Sequence, residues 1–211
     1  NDVILIYGKY VTGFISGGQL ASRTYGPETA KSWEVGIKAD LFDKRVRSNL
    51  ALLDVKYGNL QLHTSGLNLL PPINASVVLV NAGDAKAKGF EWEGTALPMH
   101  SLTLTANVGY TDFKYTTIDP VIGALTTFLP IQRPDWTAAG AVQYDTPDVI
   151  AGGHTTFRRD VNYRGKTRLS SIATRSVQAM TSVKDSWIVN GRVALVDFEL
   201  AKGKATLAVW G

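Results

Sequence analysis

The stretch Trp33-Glu34-Val35-Gly36-Ile37-Lys38-Ala39-Asp40-Leu41 decides the fold. Its odd positions are apolar and its even positions are polar or glycine. Successive side chains of a strand point to opposite faces, so this period of two describes a strand with one apolar and one polar face. Leu102-Thr103-Leu104-Thr105-Ala106-Asn107-Val108-Gly109-Tyr110 repeats the pattern with opposite numbering, and Trp187-Ile188-Val189-Asn190-Gly191-Arg192-Val193 repeats it more weakly. No comparable helical period occurs in the chain.

Extending this reading outward predicts nine strands, near residues 3–11, 31–41, 46–57, 88–97, 102–113, 136–145, 154–163, 187–197 and 204–211. Most are nine to twelve residues long. Strands of soluble proteins average about five or six, whereas a tilted strand needs about 9–11 to cross a bilayer. The connections alternate in length. Short turns follow the second, fourth, sixth and eighth strands: Phe42-Asp43-Lys44-Arg45, Pro98-Met99-His100-Ser101, Thr146-Pro147 to Gly153, and Asp197 to Gly203. Long loops of about twenty to thirty residues follow the others, far above ordinary hairpin loops. Alternating short turns and long loops is the pattern of an antiparallel transmembrane β-barrel.

Aromatic residues mark the long-loop end. Tyr10, Tyr57, Tyr110, Tyr163 and Trp210 close the strands that run toward it and recur about every fifty residues; Trp33, Trp136 and Trp187 open the strands that return. Rings with an apolar body and a polar edge settle at the headgroup level, so these eight are expected to form one girdle. Phe42 and Tyr144 are candidates for the opposite girdle. Parity with Val161 and Tyr163 puts Phe157 and Arg159 on the lipid face. A bulge between Arg158 and Val161 is expected to turn Arg159 inward, because an arginine in lipid costs about 2–4 kcal/mol.

Composition agrees with a folded chain. The 211 residues are 45% hydrophobic and 19% charged, too apolar for disorder. Cysteine is absent, which excludes disulfide scaffolds and thiolate metal sites. No run approaches the 18 or so apolar residues of a transmembrane helix; the densest is Val77 to Val80. The net charge is +4, but the bases are scattered and form no stripe for nucleic acid. The chain opens at Asn1 without a signal sequence and ends in an apolar run at Trp210-Gly211, so both ends are expected to be cuts through a larger protein.

Several motifs in order resemble the TonB-dependent outer-membrane receptors. Tyr10-Val11-Thr12-Gly13-Phe14 with Gly17-Gly18 is similar to that family's hairpin opening. Pro27-Glu28-Thr29 through Trp33-Glu34-Val35-Gly36-Ile37-Lys38, then Leu41-Phe42-Asp43-Lys44-Arg45-Val46, resemble its next strand and turn. Asn81-Ala82-Gly83 with Gly89-Phe90-Glu91-Trp92-Glu93, and the terminal Leu207-Ala208-Val209-Trp210-Gly211, follow its later strands. Leu53 stands where an aromatic is usual, a departure expected to touch only the lipid face. The resemblance covers nearly the whole chain. It implies residues 1–211 are part of the C-terminal barrel domain, nine consecutive meander strands of a barrel of about 22, with the plug, the TonB box and the last strand outside it.

The resemblance further implies uptake energised by TonB and its inner-membrane complex, acting through the N-terminal part, with a ferric siderophore as the commonest cargo. The partners implied are outer-membrane lipid and a small-molecule or metal-chelate substrate, with no nucleic acid, no cofactor, no metal site and no enzymatic chemistry. No phosphate-binding loop, nucleophile elbow or dinucleotide fingerprint occurs. His63, His100 and His154 are far apart, on an outer loop and at short turns. Glu91 and Glu93 share a face and fit a polar lumen wall better than a glycosidase pair. Parity places Glu34, Lys38, Asp40, Glu91, Glu93, Asn107, Gln143, Arg158, Asp160, Asn190 and Arg192 on that wall. The candidate ligand contacts are Arg158, Arg192, Glu91 and Glu93 on the lumen face, with Arg23, Arg133 and Lys166 on the outer loops. A passive porin or channel, or a soluble carbohydrate-binding β protein, are the rival readings.

Overall fold

The computed structural model describes residues 2–20, 23–66, 69, 71–72, 74–75, 77–122, 131–147, 152–170, 175–201 and 203–211. In chain order the strands are β1 (Val3–Ile15), β2 (Gly18–Leu20), β3 (Arg23–Tyr25), β4 (Glu28–Leu41), β5 (Val46–Gly58), β6 (Gln61–Thr64), β7 (Val78–Asn81), β8 (Ala85–Met99), β9 (Leu102–Tyr115), β10 (Trp136–Asp145), β11 (His154–Arg164), β12 (Thr167–Arg168), β13 (Ser182–Val183), β14 (Ser186–Leu200) and β15 (Gly203–Trp210). A 3-10 turn at Pro120–Ile122 and one short helix, α1 (Arg175–Thr181), complete the described elements. No described helix is long and apolar enough to cross a membrane.

The nine long strands form one antiparallel sheet in the order β1-β4-β5-β8-β9-β10-β11-β14-β15. Each strand pairs with its neighbours along the chain, the meander that the loop alternation predicts. Several strands run further toward the long loops than periodicity indicates, because backbone pairing continues where side-chain alternation fades. The outer loops carry structure of their own: hairpins β2–β3 and β6–β7 and the pair β12–β13.

Register assigns each residue to a face. Ile4, Ile6 and Tyr10 of β1 face Ala39, Ile37 and Trp33 of β4. The same face continues through Leu50 and Leu52, Phe90 and Trp92, Val108 and Leu104, Val142, Val161, Val189 and Val193 to Val209. It is exposed despite being apolar: Ile6 is 72%, Val35 55% and Val209 72% accessible. A contiguous apolar surface of this extent is what lipid covers. The opposite face carries Lys9, Glu34, Lys38, Asn49, Glu93, Asn107, Arg158 and Arg192 and is the inner wall.

Three sequence expectations are corrected by the register. The bulge expected between Arg158 and Val161 is absent. Arg158, Arg159 and Val161 pair without a shift with Gln143, Val142 and Gly140 on one side and with Arg192, Gly191 and Val189 on the other. Continuous ladders on both edges leave no place for an extra residue, and Arg159 stays on the outer face. Tyr57 and Leu53 lie on the inner face, opposite Ala30 and Glu34, because Leu50-Ala51-Leu52-Leu53 is apolar throughout and the alternation of Asp54-Val55-Lys56-Tyr57 beyond it runs opposite to the parity that pairing with β4 sets. Trp210 also lies on the inner parity, opposite Arg192, for the same reason: Leu207-Ala208-Val209-Trp210 is apolar throughout. Register shifts do occur between Ala96 and Met99 and between Leu195 and Phe198, both at the short-turn end.

Candidate functional site

Six of the eight expected girdle residues share the outer face near the long loops: Tyr10, Trp33, Tyr110, Trp136, Tyr163 and Trp187. They stack in cross-strand pairs, with ring centroids 4.6 Å apart for Tyr10–Trp33 and 4.7 Å for both Tyr110–Trp136 and Tyr163–Trp187. Phe90 joins Trp136 at 5.8 Å, a member the strand-end count did not include although it lies in the Gly89-Phe90-Glu91 motif.

The inner wall is a set of lateral polar contacts. Lys9 Nζ lies 2.7 Å from Glu34 Oε2, and the Tyr7 hydroxyl donates to Glu34 Oε1 at 2.8 Å. Arg47 donates twice to Asp40, at 2.6 and 2.9 Å. Asn49 donates to Glu93 at 2.7 Å. Arg158 and Asn190 both donate to Asp160, at 3.3 and 2.8 Å. Glu91 and Glu93 thus stand on one wall, with Glu93 engaged by Asn49. Arg158 and Arg192 are direct cross-strand neighbours, and no described carboxylate pairs with Arg192.

The mouth of this wall is apolar. Ala85, Ala87 and Phe113 are buried on the inner side of β8 and β9, packed by Val55, Tyr57, Leu60 and Tyr115. The Phe113 ring lies 6.0 Å from that of Tyr57 and 5.5 Å from that of Tyr115. The Arg133 guanidinium sits over the Phe113 ring, 4.5 Å from its centroid, and the residue is exposed. Burial in this cluster pushes the Tyr115 phenol up, against the lowering effect of Arg133. The structure therefore joins Arg133 to an aromatic base at the mouth that includes Tyr57. Arg23, half-buried on β3, and Lys166, exposed after β11, lie on separate outer loops.

The outer loops are fastened to one another. Asn81 accepts from the Gly26 N–H at 2.7 Å and donates to the carbonyls of Gly26 (3.1 Å) and Asn59 (2.8 Å). Glu28 accepts from the Gln61 N–H at 2.8 Å, and Gln61 donates to Ser16 and Gly26 carbonyls. Leu69, Val78, Val80, Ala82 and Ile122 bury a small core between two loops. The motif residues Glu28 and Asn81 were visible in the sequence, but their part as loop fasteners was not. A concavity of about 1260 Å³ lies over the outer face around Val161, Val189 and Val193; lipid covers that face, so it is not a ligand site. Among the described residues no group of His, Asp and Glu is placed to hold a metal ion.

Residues 1–209 match the family model of the TonB-dependent receptor-like β-barrel. Among solved structures, the chain is similar to BauA, the ferric preacinetobactin receptor of Acinetobacter baumannii, with a TM-score of 0.69 at 18% identity over 93% of this chain and 28% of that one. PiuA, a siderophore receptor of the same organism, gives 0.68 at 18% identity, covering 91% of this chain and 27% of that one. FyuA, the ferric yersiniabactin uptake receptor of Yersinia pestis, gives 0.66 at 13% identity over 99% of this chain and 33% of that one. The chain spans about a quarter to a third of the length of these receptors. The apolar outer face, its aromatic belt, the polar inner wall and the family match lead to one conclusion: the chain belongs to the TonB-dependent receptor family, as strands of its outer-membrane β-barrel.

Proposed function

We propose that the chain is part of a receptor that takes an anionic metal chelate of the ferric siderophore class across the outer membrane, with uptake energised by TonB. The observation that carries this reading is the mouth, where Arg133 rests on the Phe113 ring among Tyr57 and Tyr115. A guanidinium seated on an aromatic face keeps its N–H donors free for a carboxylate or catecholate ligand. The solved relatives supply the chelate class, since BauA and FyuA are receptors for ferric preacinetobactin and ferric yersiniabactin. Binding and displacement of a plug need no covalent chemistry. The plug, the TonB contact and a closing strand belong to the same proposal, and Arg23, Lys166, Arg158, Arg192, Glu91 and Glu93 are its secondary contacts.

The test is equilibrium binding of a panel of ferric siderophores to the intact receptor, with iron-limited growth as the readout of uptake. Arg133→Glu is expected to weaken the cognate chelate by tenfold or more, consistent with about 1.5–3 kcal/mol for a hydrogen bond to a charged group. Unchanged affinity in that variant would remove Arg133 from the site. Growth that persists without TonB would leave a passive channel in place of an energised receptor.

A further inference from the structure

Register places Lys31, Lys56, Lys86 and Lys114 in one hydrogen-bonding row across four adjacent strands: Lys31 faces Lys56, Lys56 faces Lys86, and Lys86 faces Lys114. All four share the parity of Trp33, Phe90 and Tyr110, so they point outward, toward the membrane side of the wall. They stand two to four residues nearer the long loops than the aromatic belt. At about 3.4 Å per residue on a strand tilted by about 40°, that is roughly 5–10 Å above it. Lys88 adds a fifth ammonium one step below the row.

The nearby carboxylates do not neutralise the row. Asp54 is shared by Lys86 and Lys88, each at 3.3 Å, and Asp112 pairs with Lys114 at 2.7 Å. No described carboxylate pairs with Lys31 or Lys56. Both are exposed, and with Lys86, Thr29 and Thr116 they line a groove of about 420 Å³ in which Asp84 is the one acidic residue. Like charges directly across a sheet destabilise it, so three facing lysine pairs call for an anion that offsets them. Neighbouring strands are about 4.8 Å apart, a spacing at which two adjacent ammonium groups reach the oxygens of one phosphate.

We propose that this lysine row binds the phosphate groups of a phosphorylated lipid headgroup in the outer leaflet. Its position selects that occupant. Beneath it, past the row of Trp33, Asp54, Lys88 and Asp112, begins the apolar, aromatic-belted face that lipid covers, so a lipid seated there carries its headgroup to the height of the row. The inference depends on membrane placement and not on the transported cargo, so failure of the uptake reading leaves it standing.

The test is native mass spectrometry of the intact receptor in a neutral detergent, titrated separately with lipid A, dephosphorylated lipid A and inorganic phosphate. The wild type is expected to retain lipid A and to bind the dephosphorylated form far more weakly. Lys31→Gln/Lys56→Gln/Lys86→Gln is expected to lose about a hundredfold in lipid A affinity, from a factor of about five per surface lysine. The corresponding triple arginine variant is expected to keep it, which separates lost charge from a misfolded wall. Equal retention by the glutamine variant, equal binding of the dephosphorylated lipid, or binding of inorganic phosphate without preference for lipid A would each overturn the proposal.

Discussion

Gly83 holds φ at +117°, and a Cβ there would stand 2.3 Å from the Thr117 carbonyl oxygen. Its neighbours fix the junction of two outer loops: Thr116 N–H donates to the Asp84 carbonyl and Asp119 N–H to that of Ala82, at 2.8 and 2.9 Å. Gly83→Ala forces either the backbone angle or that contact to yield, at a cost of about 1–3 kcal/mol. The expected result is faster hydrogen exchange at Thr116 and Asp119 with unchanged protection in β9 and β10. Equal protection at those two amides would show that the junction is held elsewhere. The Asn81-Ala82-Gly83 motif was readable in the sequence as a family mark. Its physical content was not: Asn81 bridges to Gly26, a partner more than fifty positions away, and only the folded loops bring them together. Gly89 is a parallel case, since its absent Cβ would meet the Tyr110 carbonyl at 2.0 Å.

At the scale of the strand, alternation fixed parity where the two faces differ in chemistry and failed where they do not. Residues 33–41 of β4 and 102–110 of β9 alternate cleanly, and their inner and outer residues stand where the period places them. β5 has Leu50, Leu52, Asp54 and Lys56 outside and Ala51, Leu53, Val55 and Tyr57 inside, so its local pattern is uniform at first and then misleading, and only pairing with β4 and β8 assigns the faces. The lysine row was illegible for a related reason. Its members come from four strands, and no sequence window shows that they share a row. Arg159 is the converse case, a residue whose parity was right while the bulge expected to relieve it does not form. It remains on the outer face across from Val142 and Gly191, about four residues below Tyr163. Arg159→Leu is therefore expected to stabilise the intact barrel by about 2 kcal/mol, measured by reversible denaturant unfolding in lipid vesicles. No change would mean that the guanidinium already reaches the headgroups along its own stem.

At the scale of the molecule, the nine-stranded sheet has, among the described residues, two unpaired edges, the outer sides of β1 and β15. Each presents a row of backbone N–H and C=O groups that lipid cannot satisfy. Closure into a barrel removes every such edge. The two faces behave differently from the edges: detergent can cover Ile6, Val35 and Val209, but it offers no hydrogen bonds to the strand backbones. The 211-residue segment expressed by itself is therefore expected to associate edge to edge both in water and in detergent, because detergent relieves only the apolar face. Size-exclusion chromatography with light scattering reads this directly. Mixed large assemblies in both solvents are the expected outcome, while a stable monomer in detergent would mean that β1 and β15 find partners within the segment. A stable monomer in plain buffer would contradict more than the edges. It would require that the apolar outer face be covered by the chain itself, and the aromatic belt and lysine row would then need an explanation that does not involve a membrane.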